Sequence, residues 1–360
     1  MTYTAFYKSP QLTDLEVDNM ASLQVPDGNS TAWLFGNQSL LLQYEYEKLT
    51  LAQEESRGPL AFLWISILLI GVTSNVGFLY VRSRVVYMQT VTNCYLMNLG
   101  LADITFLTIT VPLETCDLFF GIALRYHTLY CVLSTGVTHL SNYTSMLTLA
   151  MITVERYFAI CRPFQAERIS TKSRAMKVIV IAWIVSLVFA FVFTISCFAN
   201  GASHMTAIAL ILQTIPFFAS MTTITALNVI IVRQLTGRGQ AISAQESEAR
   251  SERLQVVKLL IVTELVFFAC VFPYYLVDFI FGTQELSKAC LQSSPTGSCM
   301  SLKQLYCLMV SMKTLMYVNS AINPIIYNVM SSRYRQAFLD AFKCSRRGSA
   351  DSAMYASSRF

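Results

Sequence analysis

Charge is what this chain has least of. Asp, Glu, Lys and Arg make up 13% of its 360 residues, about half of the ~25% usual in soluble globular proteins. That shortage excludes a soluble enzyme with a polar skin. Glycine and proline are also sparse, at 14 and 9 residues, which excludes a collagen-like repeat. A disordered chain is excluded by the hydrophobic share of 54% and a mean hydropathy of +0.50. Histidine occurs 3 times, and no catalytic triad or metal-ligand cluster assembles, so enzymatic activity finds no support. Residues 1–20 lack the apolar core of a cleavable signal peptide. The first apolar stretch is therefore expected to act as its own insertion signal.

What is abundant is long apolar sequence. Seven stretches stand out: Pro59–Val81, Thr92–Leu113, Thr128–Val154, Val178–Phe198, Met205–Val232, Leu259–Leu276 and Leu305–Met330. Each is near or above the roughly 20 residues that cross a bilayer as a helix. Backbone groups in lipid must pair internally, and the stretches lack the alternation of barrel strands. The expected fold is an all-α membrane protein, a seven-transmembrane helix bundle followed by a short cytoplasmic amphipathic helix. The expected organisation is a loosely ordered outer tail over 1–58, the receptor domain over 59–330, the amphipathic helix over 331–344 and a cytoplasmic tail over 345–360.

Lys and Arg set the orientation. With the N-terminus outside, the inner loops and tail hold 19 of the 26 basic residues and the outer side holds 7. An extracellular N-terminus and a cytoplasmic C-terminus follow. Asn29-Ser30-Thr31 and Asn37-Gln38-Ser39 then lie outside, where glycosylation sequons can be used. Asn142-Tyr143-Thr144 has the same letters but falls within the third stretch and is discarded. Cys131 and Cys197 both face the oxidising side, so a disulfide between them fits. Cys290 and Cys299 can close a ring of their own, and Cys116 and Cys307 compete. Cys344 ends the amphipathic stretch, where either a lipidated or a free thiol fits.

A set of motifs carries more information than hydropathy. Asn75 lies in the first stretch and Leu99-Gly100-Leu101-Ala102-Asp103 in the second. Glu155-Arg156-Tyr157 closes the third, with Pro163 seven residues after Arg156 and Cys131 25 residues before it. Trp183, Pro216 and Phe267 with Cys270-Val271-Phe272-Pro273 follow in order, and Asn323-Pro324-Ile325-Ile326-Tyr327 ends the seventh. In this order and spacing the chain resembles the rhodopsin-like (class A) G-protein-coupled receptors over residues 59–344. Thr92–Leu96, Glu155–Cys161, Ser173-Arg174-Ala175 and the runs Asn319–Pro324 and Asn328–Ser331 resemble the thyrotropin-releasing-hormone receptor branch of the neuropeptide receptors.

The resemblance implies roles for particular residues. Asp103, an acid at mid-membrane depth, with Ser145, Asn319, Ser320 and Asn323 implies a sodium pocket that favours the resting state; the oxygen donors suit a hard cation. No other cofactor is implied. Glu155 is implied to hold Arg156 at rest. Tyr157, Pro163, Phe164, Phe267, Pro273, Pro324 and Tyr327 are implied to serve coupling and switching. The Cys131–Cys197 disulfide is the family's. The implied partners are an extracellular peptide, a heterotrimeric G protein of Gq type, arrestin and the membrane, with no nucleic acid, at the plasma membrane.

Departures from the family pattern narrow the ligand. Amine receptors carry a carboxylate where Thr138 stands, and opsins a Schiff-base lysine where Tyr317 stands. A peptide, a lipid or another small molecule remains. The candidate pocket is Glu114, Thr138, His139, Tyr143, Tyr274, Tyr275, Asp278 and Lys313, which mixes aromatic faces with both charge signs and suits a short polar peptide. Val271 replaces the usual sixth-helix tryptophan, Ile224 the fifth-helix tyrosine, and Arg253 the acid that in many relatives also holds Arg156. Glu264 is an odd charge with no family precedent. A transporter is the alternative class, but there is no inverted repeat and the charges are isolated.

Overall fold

The computed structural model describes residues 30–120, 128–196, 203–236, 244–282 and 302–343. Among them the chain forms nine α-helices and one short 3-10 turn: α1 (Ser30–Arg84), the turn Val86–Met88, α2 (Val91–Phe120), α3 (Thr128–Cys161), α4 (Pro163–Ile169), α5 (Lys172–Ser196), α6 (Ser203–Thr236), α7 (Ala244–Gly282), α8 (Leu302–Met330) and α9 (Ser332–Phe342). Within α1, α2, α5, α6 and α7, the segments Leu49–Arg84, Val91–Phe120, Lys172–Thr194, Thr214–Thr236 and Arg253–Val277 are long and apolar enough to cross a membrane by length and composition. The other two spanning helices, α3 and α8, are more polar because they face the bundle. On α3 the side chains of Ser134, Thr138, Ser141, Asn142, Thr144, Ser145, Thr148 and Thr153 are all buried. By contrast, Ile181, Ile184, Leu187, Val188 and Phe191 on α5 point outward, as lipid-facing residues do.

α1 is a correction to the sequence reading. Helix begins at Ser30, not at Pro59, and runs through Pro59 for 55 residues. The segment Leu40-Leu41-Leu42-Gln43-Tyr44-Glu45 through Ala52-Gln53-Glu54-Glu55 is rich in good helix formers, and Leu49 is already buried. The sequon Asn37 therefore sits on a helix, while Asn29 lies outside the described residues. α7 also extends further than its apolar stretch, starting at Ala244.

α3 is the central helix, packing on α2, α5 and α6 and, sparsely, on α7; α1 closes the ring between α2 and α8. Polar side chains fix these neighbours. Asn98 donates to Thr148 at 2.8 Å and accepts from the Trp183 indole at 2.8 Å, tying α2, α3 and α5. Asn75 donates to the carbonyl of Ser320 at 2.9 Å, and Trp64 to Thr314 at 2.9 Å, tying α1 to α8. Gly71 makes this contact possible: a Cβ there would lie 3.0 Å from that of Ala321 and 3.1 Å from its Cα. Satisfied hydrogen bonds of this kind replace the hydrophobic drive that lipid cannot supply.

α9 turns away at Ser331. Tyr334 donates to Asn93 at 2.6 Å, Arg333 to the carbonyl of Tyr87 at 2.8 Å, and Tyr87 to Asp340 at 3.0 Å. Burial pushes the Tyr334 phenol up to about 12, so it remains a donor. Arg335 donates to the carbonyls of Asn328 and Val329 at 3.1 and 2.9 Å, capping the end of α8.

Candidate functional site

The outer half of the bundle holds a buried charge pair. Lys313 of α8 is ion-paired with Glu114 of α2, and Ser134 of α3 donates to Glu114 at 2.5 Å. The side chains are 16% and 6% exposed. A lysine and a glutamate inside apolar helices are tolerated because each faces the other and not lipid. Of the other expected pocket residues, His139 stacks on Phe193 of α5 at 4.0 Å and Tyr143 on Phe189 at 5.0 Å. Both are buried, and His139 Nδ1 has no hydrogen-bond partner among the described residues. Thr138 donates to its own helix at Ser134. Tyr275 stacks on Phe217 of α6 at 4.6 Å, and Tyr274 meets it edge-on at 5.8 Å. The side chain of Asp278 lies outside the described residues. So do Cys197, Cys344 and the side chain of Cys131, whereas Cys116 and Cys307, the competitors for that pairing, are free thiols.

Sequence reasoning missed the aromatic residues that join these groups. Phe217 also lies 5.7 Å from Phe268 and 6.3 Å from Phe272, so it is the hub between α6 and α7. Val271, in the place of the usual tryptophan, is fully buried in the same cluster. The hub follows Pro216 directly, but one phenylalanine among 23 in the chain carries no distinguishing signal.

At mid-depth the expected oxygen set is present and buried: Asp103, Ser145, Asn319, Ser320 and Asn323. Asn323 donates to Asp103 at 2.8 Å, and Ser320 lies beside the same carboxyl. Among the described residues the amide oxygens of Asn319 and Asn323 have no donor. A buried acceptor left without a donor is rare. A carboxylate with two such oxygens is chemically suited to a hard cation.

The inner end of α3 carries the second charge pair. Arg156 Nε lies 3.0 Å from Glu155 Oε2, close enough for an ion pair but not aligned as a hydrogen bond. Glu155 also accepts from Thr92 of α2 at 3.1 Å and from Ser170, just after α4, at 3.0 Å. Both partners were missed from sequence, since a serine and a threonine 15 and 63 residues away have no spacing signature. Pro163 opens α4 at its first turn. Phe164 beside it is 89% exposed, while Tyr157 packs against Ile231, Leu235 and Val257. Tyr327 is buried against Phe78 and Tyr334, and its hydroxyl has no partner among the described residues. Pro273 and Pro324 lie inside α7 and α8, and Phe267 is buried on α7.

The fold is a seven-helix bundle with a buried charge pair in one half, a buried carboxyl at mid-depth and a partly buried ion pair at the end of α3. Residues 74–327 match the family model of the 7 transmembrane receptors (rhodopsin family), and the chain belongs to that family, the class A G-protein-coupled receptors. It is similar to growth hormone secretagogue receptor type 1 of Sus scrofa, 30% identical over 293 residues, covering 76% of this chain and 77% of the relative. It is 29% identical to the Homo sapiens receptor of that name over 296 residues, with the same coverage. It is also 28% identical to neuromedin-U receptor 2 of Homo sapiens over 305 residues, covering 78% of this chain and 70% of the relative. The protein is thus a multi-pass membrane receptor and not an enzyme.

Proposed function

We propose that this receptor answers a short extracellular neuropeptide and activates a heterotrimeric G protein, of Gq type by its resemblance to the thyrotropin-releasing-hormone receptors, with arrestin as a further cytoplasmic partner. The relatives support a ligand of this class, being receptors named for a growth hormone secretagogue and for neuromedin-U. The observation that carries the reading is the buried Lys313–Glu114–Ser134 network in the outer half of the bundle. Charges of both signs under an aromatic wall suit the polar groups of a peptide better than a lipid. The receptor lies in the plasma membrane with its N-terminus outside, glycosylated at Asn29 and Asn37, crosslinked between Cys131 and Cys197 and lipidated at Cys344.

Signalling follows from a closed and an open inner face. A peptide shifts their balance only by its difference in affinity for the two. At rest Arg156 is held by Glu155. In the open state Arg156 and Phe164 dock a G-protein helix by its apolar face, with Pro273 as the hinge of α7 because it removes a backbone hydrogen bond. Sodium held by Asp103, Ser145, Asn319, Ser320 and Asn323 favours the closed state. The test is a peptide-library screen on transfected cells with calcium and cyclic-nucleotide readouts, alongside ion and solute flux. A peptide that raises calcium supports the reading. Flux without any second-messenger response would replace it with a transporter.

A further inference from the structure

Glu264 lies nine residues before Pro273 on the inner half of α7, 3% exposed. None of the family motifs includes it. The structure gives it partners on two other helices. Thr153 of α3 hydrogen-bonds Glu264 Oε1 at 2.5 Å, and Asn228 of α6 donates to Glu264 Oε2. Thr153 stands one turn above Arg156, and Thr153, Arg156, Asn228 and Glu264 line one narrow cleft with no room for a water molecule. The apolar walls are Ile231, Val257 and Leu260.

Donor counting shows how tightly the three groups are matched. The Thr153 hydroxyl also reaches the carbonyl of Leu149 at 2.9 Å. One hydroxyl proton cannot serve both acceptors. All contacts are satisfied when the Glu264 carboxyl brings a proton to Thr153 and accepts from the Asn228 amide. The backbones of α7 and α3 approach each other only sparsely, and beside the apolar packing of Tyr157 against Val257 this is a polar tie between their inner halves. It also sits 11 residues, about three turns, above Arg253, where the chain lacks the acid that holds Arg156 in many relatives.

We propose that Glu264 is the inner-face latch of this receptor: it ties α7 to Thr153 on α3 and Asn228 on α6 at rest, and opening requires both ties to break. The latch stands in for the absent acid at Arg253, from inside the bundle. Swinging α7 outward pulls the Glu264 side chain away from two partners that hydrogen-bond it in the buried interior, which favours the closed state. The proposal rests on the reading of the inner face as the coupling face, so its test separates the two.

The experiment uses the full-length, ligand-free receptor in lipid nanodiscs. Spin labels carried by unnatural residues at Arg84 and Arg253, both exposed, report the distance between the inner ends of α1 and α7. Thr153→Val keeps shape and removes the hydroxyl; Asn228→Leu removes the second tie. Each is expected to raise the fraction with α7 displaced on the order of ten-fold, which is about 1.4 kcal/mol, the scale of one hydrogen bond. Basal G-protein activation in cells is expected to rise in parallel. Glu264→Gln, whose amide can donate to Thr153 and accept from Asn228, is expected to stay near the parent distribution, while Glu264→Ala opens fully. Leu265→Ala on the exposed face is the control. Displaced α7 without a rise in basal signalling supports the latch and removes the coupling reading. An unchanged or shortened distance in both Thr153→Val and Asn228→Leu overturns the latch.

Discussion

Replacing Lys313 with methionine removes one charge of a buried pair and leaves the other. Glu114 is 6% exposed on its side chain, and Ser134 still donates to it, but a hydroxyl does not neutralise a carboxylate. Breaking a buried pair by removing one partner is destabilising by about 3–5 kcal/mol, whereas replacing both partners with neutral groups of similar volume is often nearly neutral. Lys313→Met is therefore expected to lower the thermal stability of the purified receptor by several degrees and to reduce its surface expression. Lys313→Met with Glu114→Gln is expected to recover most of that stability while still failing to bind agonist. Potency and folding fall together in the single variant, and only the double variant isolates the ligand contact. The assays are detergent unfolding, cell-surface labelling and agonist binding on the same three proteins. If single and double variants melt alike, the pair is not a buried charge couple. If the double variant binds agonist normally, Lys313 is not a ligand contact.

Replacing sodium by a bulky organic cation at constant ionic strength is expected to raise agonist affinity, and Asp103→Asn to abolish the difference, since ion and agonist must oppose each other equally; a sodium effect that survives in Asp103→Asn places the ion elsewhere. Phe164→Ala is expected to cut G-protein activation with ligand binding kept, because the ring is exposed and holds nothing in the resting fold; normal activation refutes the dock. Ile224→Tyr is expected to raise maximal signalling by restoring a hydroxyl near Arg156 in the open state, and normal expression with unchanged basal and maximal signalling refutes that account. Gly71→Leu is expected to separate α1 from α8 and lower stability, because even a Cβ there stands 3.0 Å from Ala321; thermal unfolding measures it, and an unchanged midpoint contradicts the close approach.

The seven spans and the family were written in the sequence, because each depends on local properties. Spanning is decided by about 20 apolar residues, and motifs such as Glu155-Arg156-Tyr157 and Asn323–Tyr327 keep their spacing on single helices. The Asp103 set was legible as a group because the family brings those helices together, and Lys313 and Glu114 were legible as members of one pocket of mixed charge, though not as an ion pair. What only tertiary structure decided lies between helices. Thr92 and Ser170 beside Glu155, Phe217 between α6 and α7, and Thr153 with Asn228 around Glu264 are ordinary residues whose partners are 15 to 111 positions away. Side-chain periodicity says which face of a helix turns inward, but the residue it meets there is set by how far each helix is shifted and rotated against its neighbours. That shift is fixed jointly by contacts such as Gly71 on Ala321 and Asn98 between Thr148 and Trp183, and no single stretch of sequence contains it.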